Sequence, residues 1–311
     1  MQYTTLGRTG LRVSVMGLGA GGHSRLGQQT GATEQQSIAV VQRAVELGVN
    51  CIDTAEAYGT ERIVGAALQG MKRQDLVLST KKSMMRENQL IRAEDLIAGL
   101  ERSLTNLQTD YIDIYHLHAV RAEHYDYAVA ELVPALERLR EQGKIRFLGI
   151  TEAFGVDTGH EMLMRAVHDP FWDVMMVGFN ILNQSARERV LVHTIRQRIG
   201  VMCMFAVRDA LSRHEKLQEI VGDLVKQGRI KRSAIDPQNP LGFLYQFAES
   251  IPDAAYRFCR AEPGMHVILS GTGNLDHLEE NIASILRPPL PNDVREHLIT
   301  LFEGIDSVSG Q

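Results

Sequence analysis

The chain has 311 residues, 44% of them hydrophobic and 23% charged, and a net charge of −5. That is ordinary for a globular protein with one large core, and an α/β barrel of this length can be a single domain, here 1–311. The acidic balance offers no basic face for nucleic acid, and no run approaches the ~18 apolar residues of a membrane span.

The first residues have no charged segment followed by an apolar one, so no secretory leader is expected. Tyr3–Val13, with Leu6-Gly-Arg-Thr-Gly-Leu11 at its centre, predicts two short strands around a turn, a hairpin able to plug the bottom of a barrel. A rhythm then begins of short apolar runs followed by longer amphipathic stretches. The predicted strands are Val15–Gly19, Val49–Thr54, Leu76–Thr80, Tyr111–Leu117, Phe147–Thr151, Val174–Val177, Gly200–Phe205 and Val267–Ser270. Helical periodicity marks Glu34–Leu47, Ala93–Leu107, Val129–Gln142, Gly159–His168, Ala186–Ile199 and Leu275–Leu286. Strands alternating with helices imply parallel βαβ units, and eight of them close most naturally into a (β/α)₈ TIM barrel. Arg208–Pro263, between the seventh and eighth strands, is too long for one helix and reads as an extended loop region over the active-site end. Cys51, Cys203 and Cys259 are widely spaced, two of them in buried strands. They read as reduced thiols in a reducing compartment, by default the cytoplasm, and not as disulfides or a zinc site.

Gly17-Leu-Gly19-Ala-Gly-Gly22 matches a dinucleotide-binding fingerprint. No helical pattern follows until Thr33, however, and no acid ends a strand about 20 residues on. The run reads instead as a barrel loop in which backbone passes close to a ligand.

Catalytic groups of a barrel gather where its strands end. The second strand leads into Asp53 and Tyr58, the third into Lys81 and Lys82, and the fourth into His118. Reducing a carbonyl requires a proton for the new alkoxide. A phenol is a weak acid, but a nearby ammonium favours the phenolate. Lys81 can supply that ammonium, Asp53 can hold it, and His118 can orient the substrate oxygen. Strand alternation sends only one of Lys81 and Lys82 inward. His116 shares a strand face with His118. The pair could bind a metal but lacks a third ligand, so a core histidine one layer below the site is the expectation.

Asp53-x4-Tyr58-Gly, Thr80-Lys81, Tyr111-Ile-Asp-x-Tyr-x-x-His118, Phe179-Asn-Ile-Leu-Asn183 and Ser270-Gly-Thr-Gly…His277-Leu-Glu-Glu280-Asn281 follow the opening hairpin in order. Together they resemble the aldo-keto reductase family across the whole chain. The resemblance implies a (β/α)₈ barrel, NADP(H) or NAD(H), and a catalytic tetrad on Asp53, Tyr58, Lys81 and His118, with Lys81 the inward lysine.

Other positions depart from the family. Its Ser-Asn pair and Gln, which hold the nicotinamide carboxamide, are matched by Thr151-Glu152 and Met176. Its ring-stacking tyrosine is matched by Met204 or Phe205. A carboxylate at the ring would favour the charged oxidised form and hence alcohol oxidation. Glu152 could equally accept from the carboxamide or turn into a salt bridge. Ser270, Gly271 and Thr272 precede a helix N-terminus suited to phosphate. Glu280 and Asn281 match adenine contacts, and His277 stands where many relatives carry Arg. No Lys or Arg occurs between Ala261 and Leu286. NADP is therefore the family default, with NAD a serious competitor. Arg208 is a candidate pyrophosphate clamp, or else part of a surface salt bridge.

The expected function is NAD(P)(H)-dependent interconversion of a small-molecule carbonyl (an aldehyde, ketone or sugar) and its alcohol. A lyase or isomerase retaining the cofactor, or a non-catalytic sensor subunit, are the competing expectations.

Overall fold

The computed structural model describes Met1–Gln311. Eight strands form a closed barrel: β1 (Met16–Gly19), β2 (Cys51–Asp53), β3 (Val77–Ser83), β4 (Ile112–Val120), β5 (Ile145–Glu152), β6 (Val174–Gly178), β7 (Gly200–Met204) and β8 (Val267–Ser270). Every neighbouring pair is parallel and follows chain order, as successive βαβ crossovers require.

The barrel interior is a separate small core. Cys51, Val77, Ile114, Val174, Met176, Met202 and Val267 meet there, and Leu6, Leu11 and Val13 close it from below. Those last three come from the expected hairpin, whose strands Tyr3–Thr5 and Arg12–Ser14 pair antiparallel. The far larger core lies between the barrel and its helices.

Alternation along each strand carries this interior face upward in steps of two residues. Val77 leads to Ser79 and Lys81, Ile114 to His116 and His118, and Cys51 to Asp53. The next residue along, Lys82, faces outward and pairs with Glu56. Asp113, also on the outer face, accepts from Arg73, Arg146 and the Leu78 N–H, tying β4 to its neighbours. His116 is wholly buried opposite Gly149 in the register, and a Cβ on that glycine would overlap its ring. It is the core histidine expected one layer below the site.

Several elements differ from expectation. A helix at Glu61–Ala67 and another at Asn292–Leu301 stand where none was predicted. The Val129–Gln142 and Ala186–Ile199 stretches each begin with a π-helical turn, and Gly159–His168 shortens to a helix at Glu161–Ala166. Arg208–Pro263 contains helices at Asp209–Ser212, His214–Lys226 and Ile251–Arg260. Only parts of it reach the rim. Leu217, Val221 and Leu224 anchor the middle helix to the core instead.

No helix is long and apolar enough to cross a membrane. All three cysteines are buried free thiols.

Candidate active site

The strand ends open into a cavity of about 1250 Å³. Asp53, Tyr58 and His118 border it, and Lys81 lies beneath with no exposed surface.

Lys81 Nζ donates to Asp53 Oδ2 at 2.6 Å and to the Thr54 carbonyl at 2.7 Å. Ser79 Oγ donates to the other Asp53 oxygen at 2.7 Å. Burial works against the ammonium, but the charge of Asp53, aided by Tyr58, outweighs it and holds the Lys81 pKa above the ordinary amine value. The ammonium lies 5.1 Å from the centre of the Tyr58 ring.

Tyr58 is carried on the short turn after β2. Its hydroxyl is 3.3 Å from His118 Nε2, and the two rings meet edge to face. Gly21 lies flat against the Tyr58 ring, where any Cβ would collide with it. The glycine-rich run after β1 thus makes room for this phenol.

His118 sits at an irregularity in the pairing of β4 with β5. The next residue, Ala119, takes a left-handed φ of +51°, and its N–H donates to Thr151 Oγ1 at 2.7 Å. Bulges re-aim side chains at functional rims. Burial, reinforced by the Lys81 charge, pushes the His118 pKa down to about 3. The imidazole is therefore neutral at physiological pH.

Every cofactor candidate borders the same cavity: Thr151, Glu152, Met176, Met204, Arg208, Ser270, Gly271, Thr272, His277, Glu280 and Asn281. Several side chains have protein partners already. Ser270 Oγ is 2.9 Å from Tyr256 OH, and Thr272 Oγ1 accepts from the Asn274 N–H at 3.1 Å.

Glu152 corrects an expectation. Its side chain has no exposed surface; Oε2 is 2.8 Å from His160 Nδ1, and Oε1 accepts from the Gly178 N–H at 2.7 Å. Strand alternation turns Glu152 away from the face that carries Thr151. A buried contact with a neighbouring side chain, His160, and not a carboxylate at the ring, is the alternative that the structure contains.

Arg208 makes no salt bridge. Its guanidinium stacks 3.9 Å over the Phe205 ring, and burial lowers its pKa. An unpaired cation on a cavity wall suits an anionic group. Sequence reasoning missed Arg213, a second wall cation without an acidic partner. It also missed Phe154, in the loop after β5, and His160, at the start of the helix that follows.

The cavity therefore joins a buried Asp–Lys pair, a phenol and a neutral imidazole to a long groove with unpaired cations. Comparison with known proteins agrees. The sequence model of the Aldo/keto reductase family matches residues 16–298. L-galactose dehydrogenase of Arabidopsis thaliana is 38% identical over 157 residues, about half of each chain. The NADH-specific methylglyoxal reductase of Escherichia coli is 26% identical over 312 residues, covering 92% of this chain and 94% of that one. In the holo form of an aldo-keto reductase from Bacillus halodurans, 97% of that chain superposes on 98% of this one with a TM-score of 0.76 at 23% identity, a likeness of fold. This chain belongs to the aldo/keto reductase family and is an oxidoreductase; the family uses nicotinamide cofactors.

Proposed function

We propose that the protein interconverts a carbonyl and its alcohol with NADP(H), using Tyr58 as general acid and base. The observation that carries this reading is the Tyr58 hydroxyl, set 3.3 Å from His118 Nε2 above the buried Lys81–Asp53 pair.

The cavity suits a dinucleotide. Its volume of about 1250 Å³ exceeds what a small substrate needs. Gly271 lets the loop after β8 pass close to β1, where an added Cβ would lie only 2.6 Å from the Gly19 carbonyl oxygen. The helix Leu275–Leu286 begins just beyond. Arg208 would meet the pyrophosphate, Ser270–Thr272 the neighbouring phosphate and ribose, and Asn281 and Glu280 the adenine. Met176, Met204 and Phe205 would line the ring side. The bound cofactor supplies or accepts the hydride.

The remaining chemistry belongs to the chain. Neutral His118 donates a hydrogen bond from Nε2 to the substrate oxygen and fixes it beside Tyr58. Tyr58 gives its proton to the alkoxide in reduction and takes it back in oxidation. Lys81 stabilises the phenolate so formed, and Asp53 keeps Lys81 charged and in place. Arg213, unpaired on the cavity wall beside Ser212, favours a 2′-phosphate and hence NADP(H). NAD(H) is the second reading, favoured by Glu280 and by the lack of any cation on Leu275–Leu286.

A fluorescence titration of the purified protein with NADPH and NADH tests the reading. Saturable binding, tighter for NADPH, supports it. No binding of either at millimolar concentration contradicts it.

A further inference from the structure

Four costly features lie in one line behind the cavity wall. Glu152 Oε2 and His160 Nδ1 lie 2.8 Å apart, with both side chains wholly buried. His160 holds a left-handed φ of +63°, and its Nε2 is buried without a partner. Its ring stacks on Phe154, with centroids 5.2 Å apart. Phe154 fills the space over Gly178, where a Cβ would overlap its ring, and meets Phe205 edge to face at 5.3 Å. Phe205 is itself left-handed at φ +67° and carries the Arg208 guanidinium. Phe154, Phe205 and Arg208 all border the cavity.

A buried polar group left without a partner is costly, and a left-handed backbone at His or Phe is strained. Such costs persist where the surroundings over-determine a geometry. Here the surroundings converge on one wall. Glu152 also bonds the Gly178 N–H, so the pair locks the ends of β5 and β6 together.

We infer that Glu152 and His160 are positioning residues. They form a buried brace that holds Phe154, and through it the Phe205 ring, as a preformed wall for the nicotinamide half of the cofactor. The brace replaces direct polar recognition at Thr151, Glu152 and Met176 with a fixed shape. The inference rests on the reading that this cavity takes a nicotinamide dinucleotide.

Calorimetric titration with NADPH and with 2′-phospho-ADP-ribose, which lacks the nicotinamide, separates wall from scaffold. His160→Ala is expected to weaken NADPH about tenfold while leaving the ADP-ribose fragment within about twofold. His160→Asn keeps a donor near the Nδ1 position, and part of the NADPH affinity returns. Equal losses for both ligands, or no loss for either, overturn the brace. If His160→Ala does not fold, Glu152→Gln carries the test. It preserves shape but removes the carboxylate, and a loss of about threefold confined to NADPH is expected; unchanged affinity overturns the inference. If the unaltered protein binds neither ligand, the cofactor reading falls and the brace falls with it. If it binds both and the variants match it, only the brace falls.

Discussion

Lys81 reaches Asp53 at 2.6 Å inside the barrel, with the lysine side chain 0% and the aspartate side chain 5% exposed. The lysine charge has no water to fall back on, and the aspartate charge very little. Lys81→Met therefore leaves an unpaired buried carboxylate and should cost about 3–5 kcal/mol of stability as well as turnover. Urea denaturation of the variant checks this. Wild-type stability together with full activity would remove Lys81 from both roles.

Gly21→Ala places a methyl group against the Tyr58 ring. The phenol must move while the buried Lys81–Asp53 pair beneath stays in place. Turnover is expected to fall about a hundredfold, the cost of a misplacement near 1 Å, with only a small change in melting temperature. An alanine variant with wild-type kcat shows that the loop yields and that the glycine does not set the Tyr58 position.

The buried imidazoles make stability depend on pH in a defined direction. The His118 pKa is about 3 in the folded protein against an ordinary 6.5, through burial and the Lys81 charge, and burial also puts His116 well below that ordinary value. Between those pH values the unfolded chain binds more protons than the folded one, so stability falls as pH falls through that window. Burial raises the Glu152 pKa, which opposes this trend near the ordinary carboxylate range. His118→Gln should flatten the acid limb by up to about 1.4 kcal/mol per pH unit. Urea midpoints measured across mildly acidic pH decide it, and parallel curves for variant and wild type refute it.

Much of this arrangement was legible in the sequence. The eight strands show as apolar runs bounded by turns, because a strand buried on both faces has no room for charge. Asp53, Lys81 and His118 are readable because polar residues that end such runs must face a cavity or pair. The Thr151-Glu152 substitution is visible too, but its meaning is not: Glu152 finds His160 eight residues on, across a loop without periodicity. The motif Phe179-Asn-Ile-Leu-Asn183 shows the opposite limit. Asn180 and Asn183 hold the backbone of Ser309 and Val308, a contact more than a hundred residues away that no local pattern announces. Arg213 escaped for a similar reason, since its place at the rim depends on how Arg208–Pro263 folds back.

Arg213→Ala should weaken NADPH about tenfold and leave NADH nearly unchanged, since only the former carries a 2′-phosphate. Parallel affinity measurements settle the matter. Equal effects on the two cofactors place the 2′ position elsewhere and favour the NAD(H) reading.

In the proposed reaction Tyr58 moves the proton. The most direct test of this role is single-turnover oxidation of bound NADPH by a reactive aldehyde, in wild type and in Tyr58→Phe. Unchanged NADPH affinity and a rate lower by about 10²–10⁴-fold in the variant are expected. A Tyr58→Phe protein that turns over at the wild-type rate contradicts it.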